Sequence, residues 1–402
     1  MYSTRASIRL QLRPGLARGT VQSRHASSFS PSTTSRPSDK EVQAARAYCE
    51  NLLQKYDSPS YTLQTFIPRS AYTAYLCIRA FNLSLSTVAD SVSNPTVGAL
   101  RMQFWRDTIS RAFDGAPPKE PVAILLSHVL ERLAERGGRP LNKSWFMRVI
   151  NTREKYLTNP PFVDVDALES YAESTYSTLL YLTLSALPLH SLTADHVASH
   201  VGKATGIATV LRGVPLLAFP PPPNHHSNTS GLPDFRGPGG SGRQGVVTLP
   251  LDIMASAGVR DEDILRQGPE APRLRDAVFA VATRANDHLI TAREMLQNVR
   301  AGRDAGHDYE HRHEQGHEDA QGTLDDSVLD HTDAPSSPSS SQSIAQLDEV
   351  NRAFGVLMPA VATSMWLDKL QEVDFDVFRP ELRRRDWKLP WKAYMAYKRH
   401  MF

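Results

Sequence analysis

Cysteine is scarce in this sequence, whose 402 residues include only Cys49 and Cys77. Two cysteines cannot build the disulfide framework that holds small secreted domains together, so a packed apolar core must stabilise the chain, as in proteins of a reducing compartment. Long apolar runs are also lacking. The best candidate for a membrane span, residues 174–194, is rich in Ser and Thr and is interrupted by Pro188. Since a lipid-spanning helix needs about 20 predominantly apolar residues, we expect a buried core helix there.

Acidic residues are absent from the first 38 positions, which contain six arginines and many Ser and Thr residues. These positions also lack the continuous apolar core of a secretory signal. An N-terminus of this composition is typical of a mitochondrial transit peptide. The sequence therefore predicts a transit peptide and disordered leader over residues 1–38, with a cleavage region near Arg24–Ser28. An ordinary disordered tail is the alternative.

Strand patterns are nearly absent, and helical periodicity takes their place over most of the chain. Ser38 followed by Glu41 has the spacing of a capping box. Asn94 before Pro95 is typical of a helix N-cap followed by proline in the first turn. Apolar residues over 97–113 then predict a broad buried helix face. Because the few β-type runs are too short to seed a sheet, the pattern predicts an all-α fold.

Two segments interrupt the helical pattern. Residues 220–245 contain four consecutive prolines and a Gly-rich stretch, and residues 302–343 contain ten acidic residues and a Ser-rich end. Neither segment has enough apolar surface to offset the entropy of ordering it, so both are predicted to be flexible insertions. Four histidines of the second segment offer at most a weak metal site, and a solvated acidic loop is the favoured interpretation. They are His307, His311, His313 and His317.

Four blocks of the remaining sequence resemble the squalene/phytoene synthase family in content, order and spacing. They are AYLCIRAFNLSLS (74–86), MQFWRDTISRAFDG (102–115), GKATGIATVLRGVP (202–215) and VVTLPLD (246–252). The resemblance implies a single isoprenoid-synthase-like helical domain over residues 39–402, which includes both insertions and a basic, aromatic C-terminal segment, 379–402. Within the family, the leader and the blocks are most similar to mitochondrial proteins that act in the assembly of respiratory complex I.

Enzymes of this family carry two helical aspartate pairs with a spacing of four, which places both carboxylates of a pair on one helix face. The pairs hold magnesium ions that assist departure of a prenyl diphosphate. In this chain, the resemblance places the four aspartate positions at Asn82, Ser86, Gly213 and Leu217. The motif arginines are retained as Arg79 and Arg212, which either line an anion-binding pocket or pair with buried acids. The resemblance therefore implies a catalytically inactive protein with a vestigial substrate pocket at these six residues, without catalytic residue, metal or cofactor.

Basic and aromatic residues are interleaved in the C-terminal segment, which contains eight basic residues and two acidic ones. This composition is typical of a helix at a membrane surface, with Trp and Tyr at headgroup level and cations facing anionic lipid. The residues predicted to contact the membrane are Arg383, Arg384, Arg385, Trp387 and Trp391. Two alternatives stay open: a closing helix packed on the domain with its aromatic residues inward, or an RNA-binding tail without a recognisable module.

Sequence and resemblance together predict a mitochondrial protein that is peripheral on the matrix side of the inner membrane. Its expected partners are complex I subunits or other assembly factors, together with anionic lipid but not nucleic acid. An active prenyl-diphosphate transferase with a rearranged metal site, and a carrier of isoprenoids or lipids, are the alternative functions. The connection to complex I rests on the resemblance alone, because composition and spacing indicate only a mitochondrial helical protein.

Overall fold

Helices account for the regular secondary structure in the residues that the computed structural model describes, which are 36–91, 94–189, 191–220, 245–303 and 340–402. Fifteen α-helices follow one another in these ranges: α1 (Asp39–Tyr56), α2 (Ser58–Leu63), α3 (Tyr72–Ser91), α4 (Pro95–Phe113), α5 (Pro121–Glu135), α6 (Lys143–Lys155), α7 (Val165–Ala172), α8 (Thr178–Ser185), α9 (Leu192–Ala218), α10 (Leu251–Ala257), α11 (Asp261–Gln267), α12 (Leu274–Arg300), α13 (Ser340–Ala353), α14 (Pro359–Glu372) and α15 (Leu389–Arg399). Short 3₁₀ turns and one π-helical turn, Glu173–Ser177, join some of them. The prediction of an all-α fold is confirmed.

Both predicted helix starts are confirmed. Ser38 Oγ accepts a hydrogen bond from the backbone N–H of Glu41, whose carboxylate accepts one from the backbone N–H of Ser38. Asn94 Oδ1 accepts a hydrogen bond from the backbone N–H of Thr96, and Pro95 is the first residue of α4. These caps satisfy N–H groups that the first turn of a helix leaves without a helical partner, so the local sequence is enough to place both ends.

The buried face of α4 is narrower than the sequence pattern predicts. Met102, Trp105 and Ile109 are buried, and α4 packs against α3, α5 and α6. The contacts of α4 with these three helices leave the opposite side of α4 exposed in the described part of the chain. The apolar residues that are exposed there, Leu100 to 66%, are Val97, Leu100 and Phe104. Periodicity alone predicts a helix face, but the width that is buried depends on the neighbours.

The centre of the fold is the pair α9 and α12, each of 27 residues, which pack against each other. Helix α9 also contacts α7, α8, α14 and the π-helical turn. Gly202 allows the closest of these approaches, because a Cβ atom there would lie 2.3 Å from the Cα of Ser177. Gly202, the first glycine of the third sequence block, therefore allows α9 to pack closely on the π-helical turn.

Within the described ranges, no helix combines the length and the apolarity that a membrane span needs. The segment expected as one buried helix, 174–194, consists of the π-helical turn, α8 and the start of α9. Pro188 lies in the break between α8 and α9, since proline cannot continue a helix. Residues 1–35, 221–244 and 304–339 lie outside the described residues. These ranges contain most of the predicted leader, most of both predicted insertions and the four histidines considered above as a weak metal site.

Candidate functional site

A cavity of about 480 Å³ lies among α3, α6, α9 and α14. All six residues that the sequence analysis assigned to a vestigial substrate pocket line it: Arg79, Asn82, Ser86, Arg212, Gly213 and Leu217. Three of them belong to α3 and three to α9. The tertiary fold therefore brings the two sequence blocks to one place.

The α3 residues reach the cavity together because Arg79, Asn82 and Ser86 have helical spacings of three and four, which places them on one face. Arg79 and Asn82 are buried, although both side chains are polar. On α9, Thr209 and Thr205 line the same cavity, about one and two turns before Arg212. The cavity thus has polar groups from two facing helices within a largely apolar core.

Arg153 of α6 also lines the cavity, and no feature of the sequence predicted it there. Its Nη2 donates a hydrogen bond to Asn82 Oδ1 at 2.9 Å, and its Nη1 donates one to the hydroxyl of Tyr171 at 2.8 Å. The guanidinium carbon lies 5.6 Å from the ring centres of both Tyr171 and Tyr176. Burial lowers the pKa of Arg153, but the two tyrosines outweigh it and hold this pKa above its ordinary value. No local pattern marked Arg153, which is one of several basic residues in its segment.

Arg212 of α9 supplies the second guanidinium group of the cavity. Its surroundings stabilise the charged form less than those of Arg153 do. Burial lowers the pKa of Arg212 to about 10, so the group stays charged at neutral pH. Its Nε is buried and has no hydrogen-bond partner within the described residues. Arg79, the third guanidinium, lies with its central carbon 5.7 Å from the ring centre of Tyr75.

Carboxylates do not balance these arginines. Asp57 is the one acidic residue that lines the cavity in the described part of the chain. Among the described residues, no Asp or Glu forms an ion pair within 4 Å with Arg79, Arg153 or Arg212. Of the two interpretations of the motif arginines, pairing with buried acids therefore does not describe Arg79 and Arg212.

The magnesium ions that the resemblance implies do not fit the residues present. Asn82 Oδ1 is already occupied by Arg153, and Ser86 Oγ donates to the carbonyl of Leu83 at 2.9 Å. Gly213 and Leu217 have no side-chain oxygen. Over the described ranges, no group of three His, Cys, Asp or Glu residues is placed to hold a metal ion. Because magnesium binds oxygen ligands, mainly carboxylates and phosphates, this cavity lacks the donors for it.

The C-terminal segment both packs on the domain and exposes aromatic residues. Leu389, Ala393 and Ala396 of α15 are buried. Trp387 is 82% exposed and Trp391 68% exposed, so the closing-helix alternative, with aromatic residues inward, is wrong for the two tryptophans. Three arginines precede them: Arg383 is half-buried, Arg384 is exposed, and Arg385 donates to the carbonyl of Gln54 at 3.4 Å. The five residues predicted to contact the membrane thus lie in one short stretch, in which Arg383 is half-buried and the other four are exposed.

Known protein families, sequences and structures indicate the same family as the four sequence blocks. The squalene/phytoene synthase family matches residues 53–219 and 235–306. The protein "NADH dehydrogenase (ubiquinone) complex I, assembly factor 6" of Bos taurus is 34% identical over 348 residues, covering 87% of this chain and 80% of the relative. Its namesake of Homo sapiens is 32% identical with the same coverage. Among solved structures, a dehydrosqualene synthase in complex with a ligand has a TM-score of 0.59 at 13% identity, over 90% of this chain and 98% of that chain, which shows a shared fold.

Proposed function

The chain belongs to the squalene/phytoene synthase family, and from this premise we propose that it acts, without catalysing a reaction, in the assembly of mitochondrial respiratory complex I. The assembly role is supported by the names of two relatives that are 34% and 32% identical to this chain, with 80% of each relative covered by the match. Its partners are then complex I subunits or other assembly factors.

The observation that carries the non-catalytic part of the proposal is the donor set of the cavity. At the four positions where the resemblance expects aspartate, the chain has Asn82, Ser86, Gly213 and Leu217. Arg153 adds a positive charge next to Asn82, a position where enzymes of the family have a negatively charged aspartate. Departure of a diphosphate needs a cation held by carboxylates, so an active transferase with a rearranged metal site finds no support among the described residues.

We place the protein in the mitochondrion, peripheral on the matrix side of the inner membrane. The Arg-rich leader over residues 1–38 supports import. The exposed Trp387 and Trp391, next to basic residues, support contact with an anionic lipid surface. No feature of the segment resembles an RNA-binding module, so nucleic acid is not among the proposed partners.

A carrier of isoprenoids or lipids is the second candidate function, favoured by the composition of the cavity wall. Leu83, Leu85, Met102 and Phe162 line the cavity beside its arginines. A cavity with a charged part and an apolar part suits an amphiphilic molecule. Binding of such a molecule is compatible with a role in assembly.

The assembly role is tested by removing the protein from cells of its own species and separating mitochondrial membrane complexes on native gels. We expect a loss of assembled complex I that the full-length chain restores, and complex I subunits that co-purify with the tagged protein. Unchanged complex I in cells without the protein would overturn the assembly role.

The absence of catalysis is tested with the purified protein, prenyl diphosphates and magnesium. We expect no product above a boiled control. Product formation that depends on magnesium would overturn the non-catalytic part of the proposal and favour the transferase.

A further inference from the structure

The cavity has an excess of positive charge. Arg79, Arg153 and Arg212 line it, and Asp57 is their one acidic counterpart in the described part of the chain. Bringing cations into the interior without a counter-charge is costly, because the protein interior solvates them less well than water does. An anion bound among the three guanidinium groups would remove this cost.

Two of the guanidinium groups have donors without an acceptor. The Nε atoms of Arg153 and Arg212 are buried and lack hydrogen-bond partners within the described residues. Buried donors are nearly always paired in folded proteins, so two unpaired Nε donors on residues that line one cavity favour an acceptor from outside the chain. Both residues line the cavity and are half-buried.

The position of Arg153 is the most informative feature. Its Nη2 donates to Asn82 Oδ1, and Asn82 is the first of the positions where the resemblance expects a metal-binding aspartate. A covalently attached cation thus lies against the residue that would otherwise face a metal ion. We infer that Arg153 takes the place of the divalent cation, so that the cavity binds the phosphate group of an amphiphile directly, without magnesium.

The charge of the cavity favours a phosphate over a carboxylate. A carboxylate carries one negative charge, whereas a phosphate monoester carries close to two at neutral pH, which matches three arginines against one aspartate. Guanidinium groups bind phosphate oxygens through paired, charge-assisted hydrogen bonds. The apolar residues Leu83, Met102 and Phe162 line the same cavity and are available to a hydrocarbon chain. This inference rests on the proposed non-catalytic function, since a ligand held without a metal is bound and not converted.

The test measures binding of octyl phosphate and of inorganic phosphate to the purified full-length chain by calorimetry, once in EDTA and once with magnesium. We expect octyl phosphate to bind equally well in both buffers and more tightly than inorganic phosphate. Arg153→Met should weaken binding at least tenfold, about the effect of one charge-assisted hydrogen bond. Arg148→Met is the matched control, because Arg148 belongs to the same helix, bonds to Ser174 and does not line the cavity.

A second variant keeps the test valid if Arg153→Met does not fold. Asn82→Asp places a carboxylate against Arg153 and should also weaken binding about tenfold, while its melting temperature reports on folding. Binding that requires magnesium, or that both variants leave intact, overturns the inference. Equal binding of the two phosphates overturns the amphiphile part of it. A different result, product formation from prenyl diphosphates, would overturn the proposed non-catalytic function, so the two failures can be distinguished.

Discussion

The guanidinium carbon of Arg212 lies 4.8 Å from the centre of the Trp366 ring. The ring face offers a cation some attraction, yet burial still lowers the pKa of Arg212 to about 10. Tyr176 and Asp57 act on this pKa in the opposite direction, but burial outweighs them. The cavity contains an arginine that is held in place without an ion pair.

We expect Arg212→Met to leave the free energy of unfolding of the ligand-free protein unchanged or to raise it, by up to about 4 kcal/mol, because it removes an unpaired buried charge and keeps the volume. Urea denaturation measures the change. Arg284→Met is the contrasting control: Arg284 forms an ion pair with Glu169, and its loss should destabilise. A clear loss of stability in Arg212→Met would contradict this account of the cavity.

Two glycines of α9 should respond in opposite ways to alanine. Gly202→Ala would bring a Cβ within 2.3 Å of the Cα of Ser177, so we expect destabilisation by about 1–3 kcal/mol or more. Gly213→Ala meets only Leu217 Cδ1, at 3.9 Å, and should stabilise the helix by about 0.5–1 kcal/mol. Thermal melting of both variants measures these two changes in stability. Equal effects would mean that α9 does not pack on the π-helical turn as described.

Acid should weaken the fold through Glu169. Burial raises the pKa of Glu169, but hydrogen bonds from His288 and Arg284 outweigh it and hold this pKa at about 2, below its ordinary value of 4.5. A carboxyl group with a lowered pKa contributes stability above its unfolded pKa, and this contribution is lost as the pH falls from 4.5 towards 2.

The variant Glu169→Gln isolates that contribution. It should be less stable than wild type at pH 6, and the difference should narrow as the pH is lowered towards 2, as measured by urea denaturation at several pH values. A difference that stays constant from pH 6 to about pH 2 would show that Glu169 does not act through its charge.

The C-terminal segment should bind vesicles that contain cardiolipin. Charge reversal at Arg383, Arg384 and Arg385 should reduce this binding, since each basic residue near an anionic surface contributes on the order of 1 kcal/mol, and high salt should reduce it as well. The double variant Trp387→Ala and Trp391→Ala should reduce binding with little change in melting temperature, because both side chains are exposed.

The matched control for the segment is Ala393→Asp, which buries a charge at the fully covered position of α15 and should lower the melting temperature. If the arginine variant binds vesicles normally and the tryptophan variant unfolds, α15 serves only to close the domain and the membrane proposal is wrong.

The leader should be removed before Ser38. Ser38 caps α1, and loss of such a cap costs about 1 kcal/mol. N-terminal sequencing of the protein from mitochondria should therefore find a first residue beyond the region of Arg24 and no later than Ser38. A mature protein that begins at Met1, or one that stays in the cytosol, would contradict the predicted import.

Local sequence determined the helices of this protein. The capping box of Ser38 and Glu41, and Asn94 before Pro95, use hydrogen bonds between residues two or three positions apart. Such contacts form within one segment and need no information about the rest of the chain. For the same reason, the helical spacing of Arg79, Asn82 and Ser86 places them on one face whatever packs against that face.

The tertiary structure alone decided which of these faces meet. It brought the motif residues of α3 and α9 to one cavity, and it added Arg153, which contacts Asn82 across 71 positions of sequence. It also left Leu100 of α4 exposed although its spacing predicted burial. A sequence pattern records which side of a helix is apolar or charged. The partner of that side depends on packing between distant segments, where the free energy is shared among many contacts and no short stretch of sequence encodes it.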